Sequence, residues 1–349
     1  MSAVGKAAVA PLVGAYEREV IRPHVLGRFE DMVLASARHP AMLLYLDNAQ
    51  SIGPNSQAGK LSGQRPRARG RGLNDNYARD LMELHTVGVD GGYTQEDVTS
   101  LARVFTGWTM GRGAAPRMAD ALRRGAQGQN EDGFAFLPAL HEPGTHTVRG
   151  KRYSQSGMNQ GEAVIRDLCS SPATARFIAT KLVRHFVADV PPPGAIARVA
   201  DAFTASDGNL TEVAKALIDL PEAWDPGHRK IRTPQDWLSA VLRAVGAREA
   251  PPNLTVLMRQ LRHPLWEPAS PKGFGDMTQE WADPDSLMNR AELARTLADR
   301  ASRNSDPAVM LLLIDIAPAD PLIALVTDES IEAPERLALA IAGPAFQWR

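Results

Sequence analysis

The chain has 349 residues, of which 44% are hydrophobic and 23% are charged, and its formal net charge is −1. These values are typical of a globular protein long enough to bury a core, and the near-neutral charge argues against nucleic-acid or membrane partners. The single cysteine, Cys169, excludes an internal disulfide framework. No apolar run is long enough to cross a bilayer, and helical patterns recur without βαβ alternation. We therefore predict a mainly α-helical protein, a single irregular domain over residues 1–349 with a small β hairpin.

Residues 4–47 predict two or three helices. A break is expected at His39, because the residue before a proline is biased away from the helical conformation. The N-terminus has no clear signal-peptide core, since Tyr16, Glu17 and Arg18 interrupt its apolar stretch early. As written, the sequence predicts a cytoplasmic protein.

Residues 49–73 form a basic segment. They contain no acidic residue, and several Gly, Ser and Pro residues accompany Lys60, Arg65, Arg67, Arg69 and Arg71. This composition predicts a flexible, solvated loop. The alternative is a basic lid over an anionic ligand or a phosphate group.

Residues 72–108 predict a helix, a glycine turn and a second helix. Asn74 begins the first helix, because a short polar side chain can accept bonds from free backbone N–H groups. Gly88 ends it, since glycine tolerates the left-handed conformation of many helix caps. Thr94 begins the second helix, where Asp97 makes a capping box plausible. The predicted buried faces carry Tyr77, Leu81, Leu84, Val98, Leu101, Phe105 and Trp108.

His85 falls within the apolar stripe of the first of these helices, which makes it a candidate metal ligand. The alternative is a core histidine with a backbone partner. Glu83 points to nearly the opposite side at about 100° per residue. An ordinary ion pair with Arg79, one turn earlier, explains Glu83.

Residues 134–148 are the best strand or hairpin candidate, because Phe134 and Phe136 flank a small residue ahead of a turn with proline and glycine. The segment also carries His141, Glu142 and His146. Two histidines five residues apart could bind one ion from a loop. The alternative is a turn stabilised by side-chain hydrogen bonds.

The next helix with a clear start has Ser171 as its cap and Pro172 at its first position. Along it, Ile178, Leu182 and His185 share one face, so His185 is a second histidine on an apolar stripe.

Later in the chain, the long loop 263–283 holds three aromatic residues, which we expect to anchor it to a core or, alternatively, to line a ligand groove. These residues are Trp266, Phe274 and Trp281.

A metal site is the sharpest functional hypothesis from these residues. His85, His141 and His185, with a carboxylate, would suit zinc, iron or manganese. Glu142 or Asp97 would serve as ligand or base, and the metal would activate water for hydrolysis.

Four long segments carry a family resemblance: GLNDNYARDLMELHTVGVDGGYTQEDVTSLARVFTGW (72–108), HPAMLLYLDNAQSIGPNS (39–56), ATARFIATKLVRHFVAD (173–189) and PLWEPASPKGF (264–274). The chain resembles, over nearly its whole length, a bacterial family of uncharacterised proteins known as domain of unknown function 1800. The resemblance implies no established activity. Members often lie beside genes for sulfatase-like secreted proteins, which implies such a partner and a role in the cell envelope.

The resemblance also refines the candidate site. Relatives typically have Asp after the first histidine of the 141–146 segment and a lysine near the second. Glu142 keeps the carboxylate and His146 departs from the pattern, so His141 with Glu142 is the better candidate pair. Relatives usually carry a longer N-terminal region. We therefore expect a misplaced start or a shortened protein, and a periplasmic or exported location if an export signal was lost.

Two function hypotheses follow. The first is a metal-dependent hydrolase that acts on an envelope substrate. The second is a non-catalytic binding or scaffold module, in which the histidines are satisfied core groups and the loops contact a partner such as the sulfatase-like protein.

Overall fold

The computed structural model describes residues 6–62, 72–111, 133–225, 227, 229–301, 306–314 and 316–349. Helices make up most of this part, and its strands form two small antiparallel sheets of two strands each. The predicted mainly α-helical fold is therefore confirmed. Within these ranges, no helix combines the length and the apolar character needed to cross a membrane.

The chain divides into two compact units. Unit 1 comprises Met1–Leu182 and Pro193–Leu220, and unit 2 comprises Val183–Pro192 and Pro221–Arg349. The predicted single domain over 1–349 stays a prediction, because this division does not test whether either unit folds alone.

Unit 1 holds most of the short helices. They are α1 (Val13–Tyr16), α2 (Arg22–His24), α3 (Phe29–Arg38), α4 (Pro40–Tyr45), α5 (Gln57–Ser62), α6 (Asp75–Asp80), α7 (Gln95–Val104), α8 (Met158–Cys169), α9 (Pro172–Phe186, whose last turn belongs to unit 2), α10 (Pro193–Ala205) and α11 (Leu210–Ile218). Two π-helical turns, Glu17–Ile21 and Leu81–His85, interrupt the α-helical pattern, and short 3-10 turns cover Ala10–Leu12, Asn48–Gln50 and Pro138–Leu140.

The predicted helix ends of the central hairpin are confirmed. The Asn74 side chain accepts a bond from the backbone N–H of Asn76 at 2.9 Å. Thr94 and Asp97 form the full capping box, because each side chain accepts a bond from the other residue's backbone N–H. Gly88 adopts a φ of 80°, and its N–H donates to the Met82 carbonyl at 2.9 Å.

Among the described residues of unit 1, four short strands form two sheets. Strand β1 (Trp108–Met110) pairs with β2 (Phe134–Phe136), and β3 (His146–Val148) pairs with β4 (Lys151–Tyr153). The predicted strand segment 134–148 thus supplies β2 and β3, but each pairs with a strand outside the segment. Arg149 and Gly150, with φ of 49° and 77°, close β3 onto β4 with the backbone twist that a two-residue hairpin needs.

A run of edge-to-face aromatic rings crosses the core of unit 1. Ring centroids lie 5.1 Å apart for Tyr77 and Phe105, 5.2 Å for Phe105 and Trp108, and 5.3 Å for Trp108 and Phe134. All four side chains are buried. Pairs in this geometry contribute about 0.5–1.5 kcal/mol beyond their area burial. The run therefore ties α6 and α7 to the β1–β2 sheet.

The predicted basic loop over 49–73 lies partly outside the described residues, which omit 63–71 with Arg65, Arg67, Arg69 and Arg71. The described part is not entirely loop, because it contains the helix α5, with Lys60 in its last turn.

Unit 2 packs its helices around a hydrophobic core. They are α12 (Pro234–Ala244), α13 (Leu254–Gln260), α14 (Pro284–Ala298), α15 (Pro307–Leu313), α16 (Pro321–Thr327), α17 (Ala333–Ala342) and α18 (Pro344–Gln347), with 3-10 turns at Pro221–Trp224 and Thr278–Glu280. Arg290 is buried in this unit and donates to Gln347 Oε1 and to the Arg232 carbonyl, both at 2.9 Å.

The long loop 263–283 carries the aromatic residues. The His263 ring stacks on the Phe274 ring with centroids 3.9 Å apart, and the buried Trp281 donates to the Gly275 carbonyl at 3.0 Å. These contacts join residues of the loop to one another, and the expected anchoring of the loop to a core stays a prediction.

Candidate functional site: a cavity in unit 1

A cavity of about 230 Å³ lies in unit 1 between the N-terminal helices and the first helix of the central hairpin. Its walls are mainly apolar, and they include Phe29, Met32, Met42, Leu81, Leu84 and Ile178. Tyr16, Ser36, Tyr77 and His85 are the polar side chains among the described residues that line it.

Both π-helical turns of unit 1 border this cavity. Ile21 ends the turn Glu17–Ile21, and Leu81, Leu84 and His85 belong to the turn Leu81–His85. A π turn closes its hydrogen bonds from residue i to i+5 and therefore aims side chains differently from a regular α-helix. Such turns occur frequently at functional sites. The two turns make this cavity a better functional candidate than an ordinary packing gap.

The hydroxyl groups at the cavity have hydrogen-bond partners. The Tyr16 hydroxyl lies 2.8 Å from Ser36 Oγ, and the Tyr77 hydroxyl donates to the Ala37 carbonyl at 2.8 Å. Burial raises the pKa of both tyrosines above the ordinary value, so the phenols stay protonated. These hydroxyls hold α1, α3 and α6 together around the cavity.

His85 differs from them, because neither ring nitrogen has a hydrogen-bond partner among the described residues. The ring keeps some accessible surface and lines the cavity. Burial lowers the pKa of His85 from 6.5 to about 4, so the imidazole is neutral at physiological pH. It therefore offers one N–H donor and one nitrogen acceptor to whatever occupies the cavity. The backbone partner expected for a core histidine is not observed in the described part.

The neighbours of His85 also differ from expectation. Arg79 donates to Gln95 at 2.7 Å, and Glu83 accepts a bond from the Tyr93 hydroxyl at 3.2 Å. The predicted ion pair between Arg79 and Glu83 is replaced by these two contacts, since the π turn Leu81–His85 changes the spacing around Glu83.

His141 and Glu142 lie elsewhere in unit 1, where they join two loops. Glu142 is 3% exposed, and its carboxylate accepts bonds from the Asn55 backbone N–H at 2.8 Å and from Asn55 Nδ2 at 2.5 Å. The Glu142 N–H donates to Thr106 Oγ1 at 2.7 Å, and His141 Nδ1 lies 2.9 Å from the Thr106 carbonyl oxygen. A Cβ on Gly53 would lie 2.6 Å from Glu142 Oε2, so this loop needs glycine. The contacts match the alternative of a turn stabilised by side-chain bonds.

His146 is the third member of this group. It is buried on β3, interacts with the backbone of Glu142, and leaves Nε2 without a partner among the described residues. Burial lowers the pKa of both His146 and His141, although contacts with the Glu142 and Thr106 backbones oppose the two shifts. Both imidazoles are therefore neutral at physiological pH.

Asp97 is fully occupied by hydrogen bonds. Its carboxylate accepts from the Thr94 N–H at 2.8 Å, from Thr94 Oγ1 at 2.9 Å and from the Arg149 N–H at 2.6 Å. Burial raises the pKa of Asp97, but these bonds outweigh it and bring the pKa below its ordinary value. The group fixes the start of α7 to the β3–β4 turn, and the role of Asp97 as a ligand or base stays a prediction.

His185 belongs to unit 2, where it is half-buried rather than buried as the apolar stripe suggests. Its Nδ1 lies 2.9 Å from Asp276 Oδ1, and Arg349 Nη2 donates to its carbonyl at 3.0 Å. His141 and His185 thus have different hydrogen-bond partners, and His85 has none among the described residues. No three His, Cys, Asp or Glu side chains form a group suited to a metal ion in the part of the chain that the structure describes. The metal site stays a prediction.

The sequence pattern identified His85 but missed Tyr16 and Ser36 as its neighbours at a cavity. Tyr77 was predicted only as a buried residue of the helical face. Spacing between near neighbours in the sequence could not predict which residues meet at the cavity, because the two π turns that border it are far apart in the chain.

Fold and site together define a mainly helical protein with an apolar cavity that carries a neutral histidine. The chain belongs to the family described as "Protein of unknown function (DUF1800)", whose family model matches residues 1–348. This confirms the resemblance seen in the sequence. No curated protein and no solved structure matches the chain.

Proposed function

We propose that unit 1 is a binding module for a small, uncharged and mainly hydrocarbon molecule. The observation that carries this proposal is the cavity of about 230 Å³ with apolar walls and His85 facing it. Pockets with this character, apolar with a few placed polar groups, are the usual form of small-molecule sites.

The volume limits the size of the ligand. An engineered apolar cavity of about 150 Å³ binds benzene, and pockets for drug-sized ligands occupy roughly 300–1,000 Å³. The cavity of unit 1 lies between these sizes, so it fits a single substituted ring or a short branched chain.

The lining also limits the charge of the ligand. Among the described residues no Asp, Glu, Lys or Arg side chain lines the cavity, and burial keeps the His85 imidazole neutral. A carboxylate or an ammonium group would lose its hydration without gaining an opposite charge from the described lining residues, which is strongly unfavourable. An uncharged ligand is therefore favoured.

Binding of toluene to the full chain tests the proposal. At ten times its dissociation constant, toluene should stabilise the protein by about 1.4 kcal/mol, which is measurable by thermal unfolding and by calorimetric titration. Leu84→Trp, which fills the cavity, should abolish this effect. Leu61→Trp is the matched control, because Leu61 is 60% exposed and does not line the cavity. Absence of toluene binding, or binding that Leu84→Trp leaves intact, would refute the proposal.

A second candidate is metal-dependent hydrolysis at His141 and Glu142. The observation that favours it is the partnerless Nε2 of buried His146 beside this pair. Protein expressed without a polyhistidine tag should then carry about one equivalent of zinc, iron or manganese by plasma mass spectrometry, as expected for an occupied site. His141→Ala should lose this metal while retaining its circular dichroism spectrum. A well-folded sample that takes up none of these ions would refute this candidate.

Association with a sulfatase-like secreted protein, and with it an envelope location, is a further proposal that rests on the family resemblance. Co-purification of the two proteins from cells that produce both would support it, and independent elution would oppose it.

A further inference from the structure

We infer that the ligand carries one uncharged hydroxyl group, which pairs with His85, so that the cavity selects a phenol or a short alcohol over a plain hydrocarbon or an acid. The inference rests on the proposed binding function of unit 1 and adds the chemical class of the ligand.

The first argument is hydrogen bonding at the cavity wall. The Tyr16 and Ser36 hydroxyls bond to each other, and the Tyr77 hydroxyl donates to a backbone carbonyl. Among the described lining residues, only His85 has polar side-chain atoms with no partner. A ligand that covers these nitrogens without pairing with them would leave a polar group buried and unpaired, which is unfavourable, so a ligand that pairs with His85 binds more tightly than one that does not.

The second argument is the match of donors and acceptors. A neutral imidazole has one N–H donor and one nitrogen acceptor. A hydroxyl group both donates and accepts, so it can pair with either nitrogen in either tautomer. A carboxylate accepts only, and it would bring a charge into a cavity whose described lining residues include no cation to neutralise it.

The third argument is position. His85 ends the π turn Leu81–His85, whereas Leu81 and Leu84 of the same turn supply apolar wall. The polar contact thus adjoins hydrocarbon surface. A molecule with a hydroxyl at one end and a hydrocarbon body matches this arrangement.

Three probes of nearly equal shape test the inference on the full chain: toluene, p-cresol and p-toluate. We expect p-cresol to bind roughly tenfold more tightly than toluene, because p-cresol can make one buried hydrogen bond with His85 and toluene cannot. We expect p-toluate to bind more weakly than both. Calorimetric titration at pH 7.5 measures the three dissociation constants. Equal affinity for toluene and p-cresol, or tightest binding of p-toluate, would overturn the inference.

Two variants test whether His85 causes the preference for p-cresol over toluene. His85→Phe should keep toluene binding and remove the preference for p-cresol. Tyr93→Phe is the matched control, because it deletes a hydroxyl that donates to Glu83 at a residue that does not line the cavity, and it should keep the tenfold preference. A preference that survives in His85→Phe would overturn the inference. The wild-type comparison of probes stands without either variant should one fail to fold.

The outcomes separate this inference from the function on which it rests. Toluene and p-cresol binding equally well, with both blocked by Leu84→Trp, would support the binding function and overturn the hydroxyl assignment. No binding by any probe would overturn both.

Discussion

Replacing His85 with Leu should remove a large part of the acid sensitivity of unit 1. In the folded chain, burial holds the pKa of His85 at about 4, against 6.5 as its ordinary value. Between these two values the unfolded chain takes up a proton at His85 and the folded chain does not. Stability is therefore complete above the unfolded pKa and is lost as the pH falls toward the folded pKa.

The magnitude follows from the two pKa values. Relative to pH 7, protonation of His85 in the unfolded state should reduce the free energy of unfolding by about 2 kcal/mol at pH 5 and by about 3 kcal/mol at pH 4. His85→Leu has no proton to take up, so this loss disappears in the variant. The other buried histidines, such as His141 and His146, contribute equally to both proteins and cancel in the difference.

Urea unfolding followed by circular dichroism, at several pH values from 4 to 7.5, measures this difference directly. The gap in unfolding free energy between His85→Leu and wild type should widen by about 3 kcal/mol in favour of the variant as the pH falls from 7 to 4. Parallel loss of stability in the two proteins would refute the reasoning. It would mean that the imidazole is accessible to solvent or finds an anionic partner on protonation.

Two further substitutions test other contacts by urea unfolding. Gly53→Ala should cost about 1–3 kcal/mol, because its Cβ would lie 2.6 Å from Glu142 Oε2. Gly72→Ala, whose Cβ would meet no atom of the described residues within 4 Å, should change stability by less than about 0.5 kcal/mol. Equal stability of these two variants would contradict the close contact between Gly53 and Glu142. Gln347→Leu should cost about 2–3 kcal/mol, since it removes an acceptor from the buried Arg290 guanidinium. A change below about 0.5 kcal/mol would show that Arg290 finds another acceptor.

The sequence predicts well those features that depend on near neighbours in the chain. The start at Asn74 and the capping box of Thr94 with Asp97 involve bonds across two or three residues, and both form as predicted. Cys169 lies next to Leu168 in a helical pattern, which favours a buried thiol, and the residue is indeed buried, which raises the pKa of that thiol.

Features that depend on distant residues could not be predicted in this way. Glu142 is bonded to Asn55, 87 residues earlier, so the spacing of nearby residues cannot predict that this carboxylate joins two loops. The assumption of a regular helix at 100° per residue failed at Leu81–His85, because a π turn replaces it there. Tyr16 joins His85 at the cavity only through tertiary packing.

The run of aromatic rings gives the cavity a spectroscopic consequence. Tyr77 lines the cavity, and its ring packs against Phe105, which in turn packs against Trp108. A guest that shifts the Tyr77 ring should disturb the indole of Trp108, whose side chain is fully buried. The chain contains six tryptophans, so a change in emission that Trp108→Phe removes would report occupancy. A library of candidate compounds could then be screened without attaching a dye.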